Sequence, residues 1–260
     1  MSLVIAIKDR DRFVFGADRQ ASWGWGSKSH DATKIWEVKG LPGAIMGSVG
    51  DCRTSQLIQY NNVVDLNAFA AEGGACASFI INSLGPSIYK CLKNNGVLVT
   101  AGGGTDGDNT YMLPNDFLFA FEDKAWLIWR DLTVFEIEDY RAIGSGSDVA
   151  NGVLFATGNK NPFERIATCI AAAELTTLFV DLGVDILTTK SYPKDMKQIK
   201  AALGEPDEDS NTIIIDKAVL ENAIKKELEK AAVQETEEKP EEDPPKKKKP
   251  TKKTNKEEAK

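Results

Sequence analysis

The chain has 260 residues, 42% of them hydrophobic and 27% charged, with a formal net charge of −7. It contains no apolar run of about 18 residues that could cross a bilayer as a helix, and its acidic balance gives the folded part no electrostatic reason to bind nucleic acid. Four scattered cysteines, Cys52, Cys76, Cys91 and Cys169, lack the paired spacing of a zinc or redox site, so a reducing cytoplasm and no metal or other cofactor are expected.

In chain order, the apolar run Leu3 to Ile7, the charged run Lys8 to Arg12 and the apolar run Phe13 to Ala17 predict a hairpin of two buried strands. Met1 to Ile7 has no basic stretch ahead of its apolar residues, which favours a first strand over a secretory signal. A loop rich in Trp, Gly and Ser follows, then an apolar run from Gly43 to Gly47 and helical character from Arg53 to Tyr60. Leu66 to Leu92 suggests one or two helices, and Ala101 to Asp108 a strong turn after Val97 to Thr100. Phe117 to Phe121 and Ala125 to Trp129 predict a second hairpin. Helices are expected over Asp148 to Thr157 and Pro162 to Leu182, and a last strand over Thr212 to Asp216.

Strands, helices, strands, helices and a strand are the order of two packed sheets with helices outside, a four-layer αββα sandwich of the α+β class spanning residues 1–216. A polar helix is expected over 217–233. Residues 234–260 carry almost nothing apolar and are expected to be a disordered, solvated tail, its lysines offset by nearby acids.

The single histidine, His30, restricts any hydrolytic chemistry, because most hydroxyl nucleophiles depend on an imidazole base. A serine at the chain's amino terminus escapes that requirement. Its own α-amine, with an unperturbed pKa of about 8, can take the hydroxyl proton. Ser2 follows Met1, and a small second residue favours methionine removal.

Phe15-Gly-Ala-Asp18 and Ala32-Thr-Lys34-Ile35, with 16 positions between Ser2 and Asp18 and 16 between Asp18 and Lys34, resemble the proteasome β-subunit family and its bacterial relative, the HslV peptidase. The likeness extends over about Met1 to Asp185, excepting 60–112. It implies Ser2 as nucleophile, Lys34 as the cation that lowers the amine's proton affinity and Asp18 as its partner. By the same resemblance, Met46-Gly-Ser-Val-Gly-Asp51 offers Gly47 as oxyanion donor, and Ala142 to Ser147 brings Ser145 to the nucleophile. Glu174, Thr176 and Thr177 are the candidates for the family's later acid and hydroxyl, and Ile45 implies an apolar cleavage preference. Trp23, Trp25 and Trp36 flank the expected cleft, where they could meet substrate or a neighbouring subunit.

The resemblance therefore implies a peptidase of the N-terminal-nucleophile class that hydrolyses peptides or unfolded proteins inside a homo-oligomeric ring, fed by a separate ring ATPase. Two rivals remain open: a non-catalytic ring subunit that retains Met1, and a small-molecule amidase of the same nucleophile class.

Overall fold

The computed structural model describes residues 2–23, 27–100, 111–177, 180–190 and the backbone of 213–215. Met1, Trp25, the turn expected at 101–108, the helix expected over 217–233 and the charged tail lie outside the described residues, as does the side chain of Trp23.

The opening hairpin consists of β1 (Leu3–Asp9) and β2 (Arg12–Asp18), reversing through Arg10 in a left-handed conformation (φ 61°). A small hairpin, β3 (Ala21–Trp23) with β4 (Ser27–Ser29), leads to β5 (Ile35–Glu37) and β6 (Ala44–Val49). Four helices follow: α1 (Cys52–Tyr60), α2 (Leu66–Ala71), α3 (Ala77–Phe79) and α4 (Gly85–Asn94), the last two joined through a π-helical turn at Ile80–Leu84. The short pair β7 (Val99–Thr100) and β8 (Tyr111–Met112) precedes β9 (Asp116–Phe121), β10 (Lys124–Ile128), β11 (Val134–Glu136) and β12 (Tyr140–Gly144). Helices α5 (Ser147–Ala156) and α6 (Pro162–Thr176) and strands β13 (Val184–Thr188) and β14 (Ile213–Ile215) complete the described chain.

The strands assemble into two five-stranded antiparallel sheets, ordered β12-β1-β2-β13-β14 and β11-β10-β9-β6-β5. Three apolar clusters show how these stack. Leu3, Ile5, Ile7, Val14, Val184 and Ile186 of the first sheet meet Ala150 and Leu154 of α5 and Ile166, Cys169 and Ile170 of α6. The intervening residues Val4, Ala6, Phe13, Phe15 and Ala17 turn the other way, onto Ile35, Ile45, Leu118, Ala120 and Leu127 of the second sheet. That sheet's outer face, with Met46, Phe117, Phe119 and Trp126, packs on Ile58, Phe79, Ile80, Leu84, Ile88 and Leu92 of the remaining helices. Helix, sheet, sheet, helix: the expected αββα sandwich is the architecture formed.

The opening apolar runs follow from this stacking. A strand covered on both faces needs apolar residues at every position, whereas a half-exposed strand alternates. Burying each large side chain, such as Phe13 or Ile5, contributes about 1.5–3 kcal/mol. The first sheet approaches α6 closely at Gly16, where an added Cβ would overlap the Ile166 side chain.

Several elements differ from expectation. Helix α6 ends at Thr176, with Thr177 extended (φ −131°, ψ 145°), rather than continuing to Leu182. The Thr176 hydroxyl donates back to Ala172 O at 2.8 Å, and two consecutive β-branched residues are poor helix continuers. The chain then contributes Val180 and Leu182 to the core and enters β13, a strand absent from the sequence reading, as are β5, β11 and β12. Among the described residues no helix is long and apolar enough to cross a membrane.

Gly16→Ala is expected to cost about 1–3 kcal/mol through overpacking against Ile166, read from the denaturation midpoint. Combining it with Ile166→Val should recover part of the loss, and full additivity of the two changes would contradict the proposed contact.

Candidate active site

Antiparallel pairing of β1 with β2 sets Val4 opposite Ala17, which brings Asp18, at the end of β2, beside the start of β1. The Leu3 N–H donates to Asp18 Oδ1 at 2.7 Å, and Lys34 Nζ donates to the same oxygen at 2.6 Å. Oδ2 accepts from the Gln20 N–H at 3.1 Å. Asp18 is fully buried and Lys34 is 5% exposed. Lys34 immediately precedes β5, so this ion pair bridges the two sheets at the chain's beginning.

Burial dominates the titration of both partners. It lowers the proton affinity of Lys34, against the opposing pull of Asp18, and raises that of Asp18, against Lys34 and the two N–H donors. A second buried acid, Asp185 on β13, stands nearby. Its carboxyl is raised by burial and held back by Arg19, whose Nε lies 3.4 Å away, and by the field of Lys34. The sequence reading missed Asp185. A lone carboxylate inside the run Val184-Asp-Ile-Leu187 was its only signal.

Ser2 is 7% exposed and stands at the junction of two cavities. One, of about 260 Å³, is shared with Lys34, Thr33, Ser48, Gly50 and Ser55, and opens past Asp31, Gln56 and Tyr60. The other, of about 450 Å³, runs past Gly50, Gly144, Ser145, Arg130, Arg141 and Asp148. The Ser2 carbonyl is held closely: Gly144 (φ 103°) packs on it so tightly that a Cβ there would overlap the oxygen, and the Ser145 hydroxyl donates to it at 3.4 Å. Thus Ser2, Asp18, Lys34 and Ser145 are gathered at one place.

Gly47 is not with them. Ser48 N–H donates to Lys34 O across to β5, and because N–H directions alternate along a strand, Gly47 N–H faces β9, where Gly47 pairs with Leu118. Its lack of a side chain serves the inter-sheet contact, since a Cβ would lie 2.7 Å from Val4 Cγ1. The glycine that lines both cavities beside Ser2 is Gly50, in the bend between β6 and α1, and among the described residues no hydrogen bond engages its N–H.

Other expected neighbours also lie elsewhere. Neither Glu174, Thr176 nor Thr177 lines either cavity, and among the described residues the buried Thr177 hydroxyl has no hydrogen-bond partner. Ile45 is 1% exposed within the inter-sheet cluster, on the same face as Gly47, and does not reach the cavity. Trp36 is buried on the opposite face of its sheet, beneath the helices. His30 pairs at 2.7 Å with Asp181.

No family model matches this sequence, and no curated protein matches it. Solved structures do. Thiobacillus denitrificans BPH in complex with epoxomicin superposes with a TM-score of 0.53 over 74% of this chain and 100% of its own, at 19% identity. Anbu, an ancestral β-subunit from Yersinia bercovieri, gives 0.58 over 93% and 99%, at 13% identity. The Anbu complex of Pseudomonas aeruginosa, solved as a helical assembly, gives 0.58 over 94% and 98%, at 14% identity.

The chain has the proteasome-like N-terminal-nucleophile hydrolase fold. At these identities the likeness is one of fold. In the proteasome-like sandwich formed here, the first strand delivers Ser2 to the edge of the inter-sheet layer and the second delivers Asp18 next to it.

Removing one partner of a buried pair strands the other charge. Lys34→Ala and Asp18→Ala are each expected to cost about 3–5 kcal/mol in chemical denaturation. The double variant Asp18→Asn with Lys34→Met should lose far less than the sum. Independent, additive losses would show that the 2.6 Å contact is not the stabilising element.

Proposed function

We propose that this chain is the peptidase subunit of a homo-oligomeric assembly, with Ser2 as nucleophile once Met1, or any segment ahead of Ser2, is removed. The observation that carries this reading is the single Asp18 oxygen that binds both Lys34 Nζ and the N–H of Leu3, the residue next to Ser2. A cation of lowered proton affinity is thereby tied to the chain's first strand, where a free α-amine would act as base.

The reaction follows from those groups. The Ser2 hydroxyl gives its proton to the α-amine as its oxygen bonds to the substrate carbonyl carbon. The C–N bond then breaks, the proton passes to the departing amine, and an ester on Ser2 remains. Water, deprotonated by the same α-amine, cleaves that ester and restores the hydroxyl. Lys34 keeps the amine unprotonated by like-charge repulsion. Gly50, in place of Gly47, has the free N–H suited to the developing oxyanion.

Epoxomicin, the ligand of the Thiobacillus structure, is a suitable probe, because an epoxyketone closes a ring only on a residue offering both a hydroxyl and a free α-amine. With Ser2 exposed by processing, the adduct is expected on Ser2, and Ser2→Ala should abolish both labelling and peptide turnover. An adduct mapped to another residue would end this reading.

The walls of the smaller cavity argue against the apolar cleavage preference that Ile45 suggested. Its side chains are mostly polar, and the Asp31 carboxylate has no ion-pair partner among the described residues. Cleavage beside polar or basic residues is the expected outcome when products from a peptide mixture are sequenced by mass spectrometry. Asp31→Asn should reduce turnover of basic peptides by about two- to fivefold, the range of an exposed ion pair.

The Pseudomonas Anbu assembly and the outward-facing Phe155 and Leu175, 82% and 74% exposed on α5 and α6, support self-association. Unfolded protein as substrate, delivered by a separate ring ATPase, completes the proposal. The non-catalytic alternative is favoured by one observation: Glu174, Thr176 and Thr177 stand away from both cavities. Intact mass separates the two readings, since Met1 retained on the purified protein leaves no free amine at Ser2.

A further inference from the structure

Asn115 lies in the turn that enters β9, is fully buried, and has every polar atom of its side chain engaged. Its Oδ1 accepts from the Asp51 N–H at 2.7 Å. Its Nδ2 donates to Ser48 Oγ at 2.8 Å, Asp51 O at 3.0 Å and Ser55 Oγ at 3.1 Å. One amide therefore grips both backbone polar groups of Asp51 and the side chain of Ser48, the residues on either side of the Val49-Gly50 step.

Asp51 in turn caps α1, its Oδ2 accepting from the Thr54 N–H at 2.8 Å and the Thr54 hydroxyl at 3.0 Å. Gly50 has φ 132°, a conformation open to glycine, and a Cβ there would press into the Asn115 amide. The bend is thus confined from the helix side, from the strand side and from beneath. Ser48, Gly50 and Ser55 all line the cavity they share with Ser2.

Neither the Asp18 nor the Lys34 side chain enters this network, since their hydrogen bonds are made to each other and to the Leu3 and Gln20 N–H groups; Lys34 meets it only through its carbonyl, which accepts from the Ser48 N–H at 2.9 Å. A buried polar cluster is costly when incomplete and rigid when complete. Here completeness fixes the peptide whose N–H is free beside the nucleophile.

We propose that Asn115 is a positioning residue: by clamping the 48–51 bend it sets the Gly50 N–H at the place where the oxyanion forms. The inference rests on the peptidase reading above. Displacement of a catalytic donor by about 1 Å can cost on the order of 100-fold in rate, whereas substrate affinity need not change.

The test uses full-length protein with Ser2 unmasked. Asn115→Asp keeps the size of the side chain but replaces the donor that faces Asp51 O, and Asn115→Ala removes the clamp. Turnover of a fluorogenic peptide amide should fall about 10- to 100-fold in kcat with KM within about twofold. Affinity for a peptide boronate, whose tetrahedral adduct needs the same N–H, should fall by a matching factor when measured at a temperature where Asn115→Asp, destabilised by the incomplete buried cluster, is still folded. An unchanged kcat, a loss confined to KM, an unchanged boronate affinity, or failure of both variants to fold would each overturn the proposal. Absence of an epoxomicin adduct in the parent protein would instead overturn the peptidase reading itself.

Discussion

One contact, the 2.6 Å ion pair between Lys34 and Asp18, ties the first-sheet hairpin to the second sheet at the candidate site. Neither charge has appreciable access to water, so each would be expensive alone. The pair persists because its geometry is supported on both sides. Asp18 is fixed by two backbone N–H groups, and Lys34 is carried on the stretch that hydrogen-bonds to Ser48 before entering β5. Gly47 then lets the second sheet come close to Val4 without steric conflict. Charge, backbone donors and a missing side chain together set the spacing of the inner layers.

That spacing decides what surrounds Ser2. The residue is enclosed by its own strand, by Gly144 against its carbonyl, and by the bend at Gly50, with a cavity to each side. The polar groups nearest the bend are held by Asn115, in the turn that enters β9 of the second sheet, whereas the Leu3 N–H and Lys34 Nζ are held by Asp18, from the first. The two sheets thus divide the work of shaping the site.

Much of this was legible in the sequence. Both main hairpins were, because a doubly covered strand is written as an uninterrupted apolar run between polar turns. The grouping of Ser2, Asp18, Lys34 and Ser145 was implied by the resemblance to the proteasome β-subunit family that the motifs at 15–18, 32–35 and 142–147 carry. Strands β5, β11 and β13 were not. They have three to five residues each, and local pattern is weak at that length. Which glycine presents a free N–H was hidden as well, because a one-residue step in a strand reverses the direction of its donor, and only the pairing of Ser48 with Lys34 reveals the parity. Ile45 misled for the same reason: strand parity sends it between the sheets. Asn115 was out of reach because its partners lie 60 to 67 positions earlier in the chain.

Strand β1 is an inner strand, bonded along its length to β12 on one side and β2 on the other, with apolar residues covering both faces. Amide protons in such a strand exchange with solvent only through the largest unfolding events of a domain. Ser2 is joined directly to that strand. Ser2 consequently shares the lifetime of the core, and displacing its hydroxyl requires dismantling the sandwich rather than local fraying.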